Sequence, residues 1–418
     1  MNRLSTSWGA YDLTRFPEDP RDQLRAWSAA DAYLLRHLAG EEGPRGETGA
    51  AVDLSGTVAV VGDRWGALTT VLAGHARVPV QITDSFLAQQ ATRANLARAG
   101  HAPDAARLLT TRDTPPARID VLLVRVPKSL ALLEDQLHRL APALHEGTVV
   151  VGTGMVTEIH TSTLELFERF VGPTRTSLAR QKARLIFSTP DPSRAPDPSR
   201  TPAPSRTPDP SRAPGPSRTT EPGPWPRTYV LPADSGAGAG LTVVNHVGIF
   251  CADRLDIGTR FFLKHLPRVR GGAHVVDLGC GNGVLGTAAS VADPDATVTF
   301  VDESFQAVAS AEATFRANAA EGAKAHFVAG DALAAVAPGT VDLVLNNPPF
   351  HSHQATTGAT AWRMFSGARA ALRPGGELWV IGNRHLGYHV KLRKLFGNAE
   401  VVASDPKFVV LRAVKGDR

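Results

Sequence analysis

A proline-rich hexapeptide repeat limits what this chain can fold into more sharply than any other feature. Between residues 188 and 227 the triplet Pro-Ser-Arg recurs at 192, 198, 204, 210 and 216, and 13 of these 40 residues are proline. Proline lacks the backbone donor and fixes φ, so such a stretch neither pairs into a sheet nor continues a helix. The 418-residue chain must therefore build its cores on either side of the repeat. Residues 1–187 and 228–418 are expected to be separate domains, and 188–227 a solvated linker.

Both flanks alternate strand-like with helix-like patterns. After the repeat, strands are expected at 274–278, 297–302, 341–345, 377–382 and 408–414, with helices such as 304–320 and 359–372 between them. Before it, the same rhythm places strands at 57–62, 78–83, 119–124 and 148–152. Strands separated by crossover helices imply an α/β fold with a doubly wound parallel sheet in each half. The halves also echo one another. VVGDRWGAL (60–68) aligns with DLGCGNGVL (277–285), IDVLLVRVPK (119–128) with VDLVLNNPPF (341–350), and ITDSF (82–86) parallels FVDESF (300–305). A duplicated fold is the expected source. In this alignment Arg64 stands opposite Gly281, Arg125 opposite Asn347 and Lys128 opposite Phe350. The first copy thus keeps a frame but loses the small residues a ligand needs. It is expected to be degenerate, with Arg125 and Lys128 offered to a polyanion.

The second copy carries the chemistry. A strand that carries Asp277 runs into Gly279, Gly281 and Gly283 and then a helix, an arrangement that lets the backbone approach a ligand at free N–H groups. Asp302 lies 25 residues beyond Asp277 at the end of the next strand, where a carboxylate accepts ribose hydroxyls. Asp331, after a third strand, is placed to meet an adenine amino group. Cys280 reads as a small packing residue in the loop rather than a nucleophile. Asp256 and Phe250 either line a cofactor or serve as cap and filler. His351 and His353 have no cysteine or acid at ligand spacing, so no metal is expected.

The Asn-Pro-Pro-Phe run at 347–350 ends the fourth strand and argues against a nicotinamide dehydrogenase. Methyl transfer to a ring-conjugated exocyclic amine demands orientation more than acid–base strength. The Asn347 side-chain oxygen and the Pro348 carbonyl would accept the amine hydrogens and turn its lone pair toward a methyl donor. Phe350 would stack on the base. Guanine N2, adenine N6 and a glutamine amide all suit such a turn, and a binding protein that keeps only the cofactor remains a rival.

Residues 384–418 hold eight Lys/Arg against three acids, including Arg384, Lys391, Arg393 and Lys394, a basic edge suited to RNA. Overall the chain is only mildly basic, with 45 Lys/Arg against 40 Asp/Glu. Its apolar runs fall far short of the roughly 20 residues that span a membrane. Two cysteines and a start without a signal-peptide pattern point to a reducing cytoplasm.

At these residues, and along LRAWSAADAYLL (24–35), VPKSLALLEDQL (126–137), IFCADRLDIGTRFFLKHLP (249–267) and KFVVLRAVK (407–415), the chain resembles the bacterial ribosomal RNA guanine-N2 methyltransferases. Its first half is most similar to the large-subunit branch. The resemblance implies tandem Rossmann-like methyltransferase folds, the first degenerate, with S-adenosylmethionine as cofactor. It implies 23S rRNA, free or in a partly assembled subunit, as partner, with 16S rRNA as the alternative. Asp277, Gly279, Cys280, Gly281 and Gly283 would then surround the methionine part, Asp302 would hold the ribose and Asp331 the adenine, with Glu303 also among the cofactor-binding residues. Asn347, Pro348 and Phe350 would hold the guanine.

Overall fold

A computed structural model describes residues 3–19, 22–191, 225–249, 251–252, 254–269, 271–349 and 354–417. The chain forms two compact units, one built mainly on residues before the repeat and the other mainly on residues after it.

In the first unit a hairpin of β1 (Arg3–Thr6) and β2 (Gly9–Asp12) precedes α1 (Ala29–Leu38). There follow β3 (Val58–Val61), α2 (Ala67–Leu72), β4 (Val80–Thr83), α3 (Phe86–Arg98), β5 (Arg107–Thr110), β6 (Val121–Arg125) and α4 (Leu130–Leu140). The unit closes with β7 (Val149–Met155), α5 (Thr161–Phe170), β8 (Thr174–Thr176) and β9 (Ala183–Ser188). Seven strands form one sheet in the order β5-β4-β3-β6-β7-β9-β8.

The second unit repeats the plan. After the hairpin β10 (Arg227–Val230) and β11 (Thr242–Asn245) come α6 (Ile257–Leu263), β12 (His274–Leu278), α7 (Val284–Ala292), β13 (Thr297–Asp302) and α8 (Phe305–Asn318). They are followed by β14 (Lys324–Ala329), β15 (Val341–Asn346), α9 (Gln354–Ala371), β16 (Leu372–Asn383), α10 (Tyr388–Phe396), β17 (Glu400–Ser404) and β18 (Phe408–Val414). The sheet order is β14-β13-β12-β15-β16-β18-β17, the same as in the first unit. Apolar residues sit on both faces of the strands because helices cover both. Val275, Phe300 and Leu343 enter one core layer, and their neighbours Val276, Val301 and Val344 enter the other.

Two sequence expectations need adjustment. Each sheet is mixed rather than wholly parallel: β18 runs antiparallel to β16 and β17, and β9 antiparallel to β7 and β8. No crossover helix separates the strands of these end hairpins, so alternation could not reveal their direction. Strands also reach Ser188 and begin at Arg227, one residue inside the expected linker at each end. The repeat itself, over 192–224, lies outside the described residues.

The duplication is exact enough in register to compare residue by residue. Val61 pairs with Ile82 and Val124, as Leu278 pairs with Val301 and Asn346. Each first helix after the glycine loop begins at a left-handed glycine, Gly66 (φ 75°) or Gly283 (φ 73°). A Cβ there would lie 2.5 Å from the Thr92 Cα or 2.6 Å from the Ala311 Cα. Both glycines are therefore demanded by conformation and by the close crossing of the next helix.

Candidate active site

At the carboxyl ends of β12, β13 and β15 lies a cavity of about 620 Å³. Its lining includes Asp256, Gly279, Cys280, Gly281, Asp302, Glu303, Asp331, Asn347 and Pro348, so nine of the residues singled out in the sequence meet in one place. This is the edge where open α/β sheets bind ligands.

The loop after β12 is held from below. Gly279 N–H donates to the Val301 carbonyl at 2.8 Å, and the Gly281 N–H to Asp302 Oδ2 at 3.0 Å. A Cβ on Gly279 would come within 3.0 Å of the Met364 Cε, whereas one on Gly281 would meet nothing within 4 Å. Gly281 adopts φ 53° and faces open space, which leaves room for a ligand against bare backbone. Asp302 also accepts the Ser304 N–H at 3.0 Å. Burial raises its pKa, and the amides of Ser304 and Gly281 oppose that shift. Asp331 faces Arg363 at 3.0 Å; burial raises its pKa and the guanidinium works against it. Glu303 stands exposed at the rim.

Two expected contacts are corrected. Asp277 is 1% exposed and lies outside the cavity lining. It sits beneath the loop, where its Oδ2 accepts the Gly286 N–H at 2.8 Å and fixes the first turn of α7. Burial there pushes its pKa up to about 7. Gly283 likewise lies outside the lining, because its role is the close packing on α8. Cys280 does line the cavity, but burial pushes its thiol well above the usual range, so it is held protonated and is a poor nucleophile.

Asn347 follows the last residue of β15. Its Nδ2 donates to Thr259 Oγ1 at 2.9 Å, while its buried Oδ1 finds no partner among the described residues. Thr259 stands in the first turn of α6, whose cap is Asp256. Phe350 and Phe250 lie outside the described residues. Sequence reasoning passed over Thr259, Arg363 and Met364. It also missed Asn282, whose Nδ2 donates to Asn245 Oδ1 at 3.1 Å and ties the glycine loop to the end of β11. The one available signal was Asp256 three residues before Thr259, a helix-capping spacing.

The equivalent edge of the first unit is filled. Arg125, in Asn347's register position, is 2% exposed. Its Nη1 donates to Glu158 Oε2 at 2.8 Å, and its Nε lies 3.4 Å from Asp31 Oδ1. Expected as an RNA contact, Arg125 is instead sealed inside an ion cluster that Arg64 extends, 3.0 Å from Glu158 Oε1. Burial alone would raise the Glu158 carboxyl; Arg125 more than any other neighbour reverses this and holds it below the ordinary range. Lys128 remains exposed. Register further places Thr83, not an acid, where the second unit has Asp302.

The basic edge lies on α10 and the turn before it. Arg384 and Arg393 are exposed, Lys394 is exposed beside the Trp362 ring, and Lys391 is half-buried, its Nζ donating to the Gly358 carbonyl at 3.3 Å. No helix among the described residues is long and apolar enough to cross a membrane. No group of His, Cys, Asp or Glu among them is arranged to hold a metal ion.

The second unit matches the methyltransferase small domain over residues 240–412. With its glycine loop, its acids on successive strands and its Asn-Pro-Pro turn, it defines an S-adenosylmethionine-dependent methyltransferase. Residues 1–192 match the RLMG N-terminal domain. The chain is 68% identical to the ribosomal RNA large subunit methyltransferase G of Streptomyces avermitilis, over 99% of both chains. It is 67% identical to the protein of that name from Streptomyces griseus, over 99% of this chain and all of that one. The chain belongs to the ribosomal RNA large subunit methyltransferase G family. In fold it is similar to the Thermus thermophilus 16S rRNA N2 G1207 methyltransferase solved with AdoMet and guanosine. That likeness has a TM-score of 0.70 at 22% identity and covers 99% of this chain and 97% of the other.

Proposed function

We propose that this chain transfers the methyl group of S-adenosylmethionine to the exocyclic N2 amine of a guanosine in 23S ribosomal RNA, in the cytoplasm. The observation that carries the reading is Asn347 Oδ1, a buried acceptor without a partner among the described residues, beside a glycine loop with open space at Gly281. A buried amide oxygen left unmatched is costly, and an amine donor would satisfy it.

When bound, S-adenosylmethionine supplies a sulfonium methyl open to displacement by an amine nitrogen. The chain's residues divide the remaining work. Gly279 and Gly281, with Cys280, make room along bare backbone for the methionine part. Asp302 and Glu303 take the ribose hydroxyls, and Asp331, sharing its carboxylate with Arg363, takes the adenine amine. Asn347 Oδ1 and the Pro348 carbonyl accept the two hydrogens of the guanine amine, which turns its lone pair out of conjugation with the ring. Phe350, which ends the Asn-Pro-Pro-Phe run, is the aromatic assigned to stack on a base drawn from its helix. Lys128, Arg384, Lys391, Arg393 and Lys394 are assigned to phosphates, and residues 1–187 to holding the RNA.

The test is nucleoside analysis of rRNA from cells lacking the protein, paired with transfer of labelled methyl to purified 23S and 16S rRNA. Loss of one N2-methylguanosine from 23S rRNA, restored by the purified protein, is the expected result. Label appearing only in 16S rRNA, or at an adenine, would overturn it.

A further inference from the structure

The amide of Asn347 offers an oxygen on one side and an NH₂ on the other, and only one orientation suits an incoming amine. The residues behind it determine which. Asp256, at the cap of α6, presents its Oδ2 to its neighbours as an acceptor. It takes the Thr259 backbone N–H at 3.0 Å and lies 3.4 Å from Thr259 Oγ1. In the second contact the hydroxyl is the only possible donor. With its proton directed toward Asp256, Thr259 Oγ1 has lone pairs left to offer, and it accepts Asn347 Nδ2 at 2.9 Å. Asn347 Oδ1 is thereby turned away from Thr259 and left as the open acceptor.

We propose that Thr259, polarised by Asp256, is a positioning residue that fixes the Asn347 amide with its oxygen toward the amine to be methylated. This rests on the reading of the site given above. With the amide reversed, an NH₂ group would face an NH₂ group, and neither would find an acceptor. Thr259 is 8% exposed and lies on the cavity wall, so no side chain need move for the chain Asp256–Thr259–Asn347 to operate.

The test uses full-length protein with Thr259→Val, which keeps the shape and removes the hydroxyl, and Thr259→Ser, which keeps the hydroxyl. Thr259→Val should lower kcat by about 10- to 100-fold, the scale expected for a misplaced reacting group. Affinity for S-adenosylmethionine should stay within about two-fold and Tm close to wild type, because the cofactor's assigned residues are untouched. Affinity for free guanosine, measured by titration, should fall in parallel with kcat. Thr259→Ser should recover most of both. In an Asn347→Ala background Thr259→Val should add no further loss, because it acts through that side chain. A normal rate in Thr259→Val, an equal defect in Thr259→Ser, or an additive loss in the double variant would each overturn the proposal. Asn347→Ala on its own separates the two levels. If it turns over normally, the reading of the site fails and takes the positioning role with it. If it is inactive while Thr259→Val is normal, only the positioning role fails.

Discussion

The two sheets end in the same place with opposite chemistry. In the second unit β15 leads into Asn347, whose oxygen is open, beside a loop whose middle glycine faces open space. In the first, β6 ends in Arg125, whose guanidinium lies between Glu158 and Asp31, and Arg64 stands in the middle-glycine position. The support beneath the loop has moved as well. The amide at the equivalent helical position, Gly286 or Thr69, is held by Asp277 from the strand in one copy and by Asp63 from the loop in the other. The edge that faces open space in one copy thus holds an internal ion cluster in the other, while strand order, register and helix starts are the same.

The sharpest way to break this contrast is to import the first unit's residue into the second. Gly281→Arg should abolish S-adenosylmethionine binding, since the side chain would enter the cavity from a left-handed position and bring a cation toward the sulfonium. Calorimetric titration of the wild type should give one site per chain and none for the variant. Two sites in the wild type would show that the first unit still binds. Next, Asn347→Ala should reduce methyl transfer by about 10²-fold or more with little change in cofactor affinity, measured by labelled-methyl incorporation and by titration. Comparable loss in both would move Asn347 into the cofactor site.

The converse change tests the filled edge. Arg125→Ala leaves Asp31 and Glu158 without their shared cation and should destabilise the protein by about 3 kcal/mol in denaturant unfolding, without affecting cofactor affinity. An unchanged midpoint would mean the cluster is idle. Arg393→Ala with Lys394→Ala should flatten the salt dependence of rRNA binding by up to about two logarithmic units per decade. If Lys128→Ala has the larger effect instead, RNA capture belongs to the first unit.

A further expected effect concerns pH. Burial raises Asp63 to about 6 and Asp277 to about 7 from an ordinary 3.8. The folded chain then holds protons that the unfolded chain releases. The stability so gained is fully present below the ordinary value and is lost as pH climbs through the folded values. Unfolding free energy should therefore decline from about pH 4 to about 7. Asp277→Asn should flatten the part nearest neutrality and Asp63→Asn the part that ends near pH 6. Parallel curves for all three proteins would place the titration elsewhere.

Much of this was legible in the amino-acid order. Strands 274–278 and 408–414 announce themselves as short runs rich in β-branched residues, and the glycine loop and Asn347 carry local patterns. The end hairpins were hidden because alternation of helix and strand says nothing about direction when no helix intervenes. Arg125 was misjudged because its partners, Asp31 and Glu158, lie in other elements, and sequence gives no view of which charges a fold will pair. Thr259 escaped for a related reason. Its contact to Asn347 is with a residue 88 positions away, and α6 is too short for its periodicity to mark a face.

The glycines that start α2 and α7 bear on how other chains should be surveyed. Each is pressed against the backbone of the next helix, so the architecture retains it whether or not anything binds. The glycine at 62 or 279 likewise adopts φ 74° or 70° in both copies. Two of the three glycines in such a loop therefore testify only to geometry, and a genome search keyed to them would gather copies with a filled edge along with copies whose edge is open. The discriminating position is the central one, where the copies part: Gly281 takes φ 53° with nothing within 4 Å of an added methyl, whereas Arg64 stands there in the first copy without a positive φ. A glycine whose neighbours would tolerate a larger side chain owes its place to something other than packing.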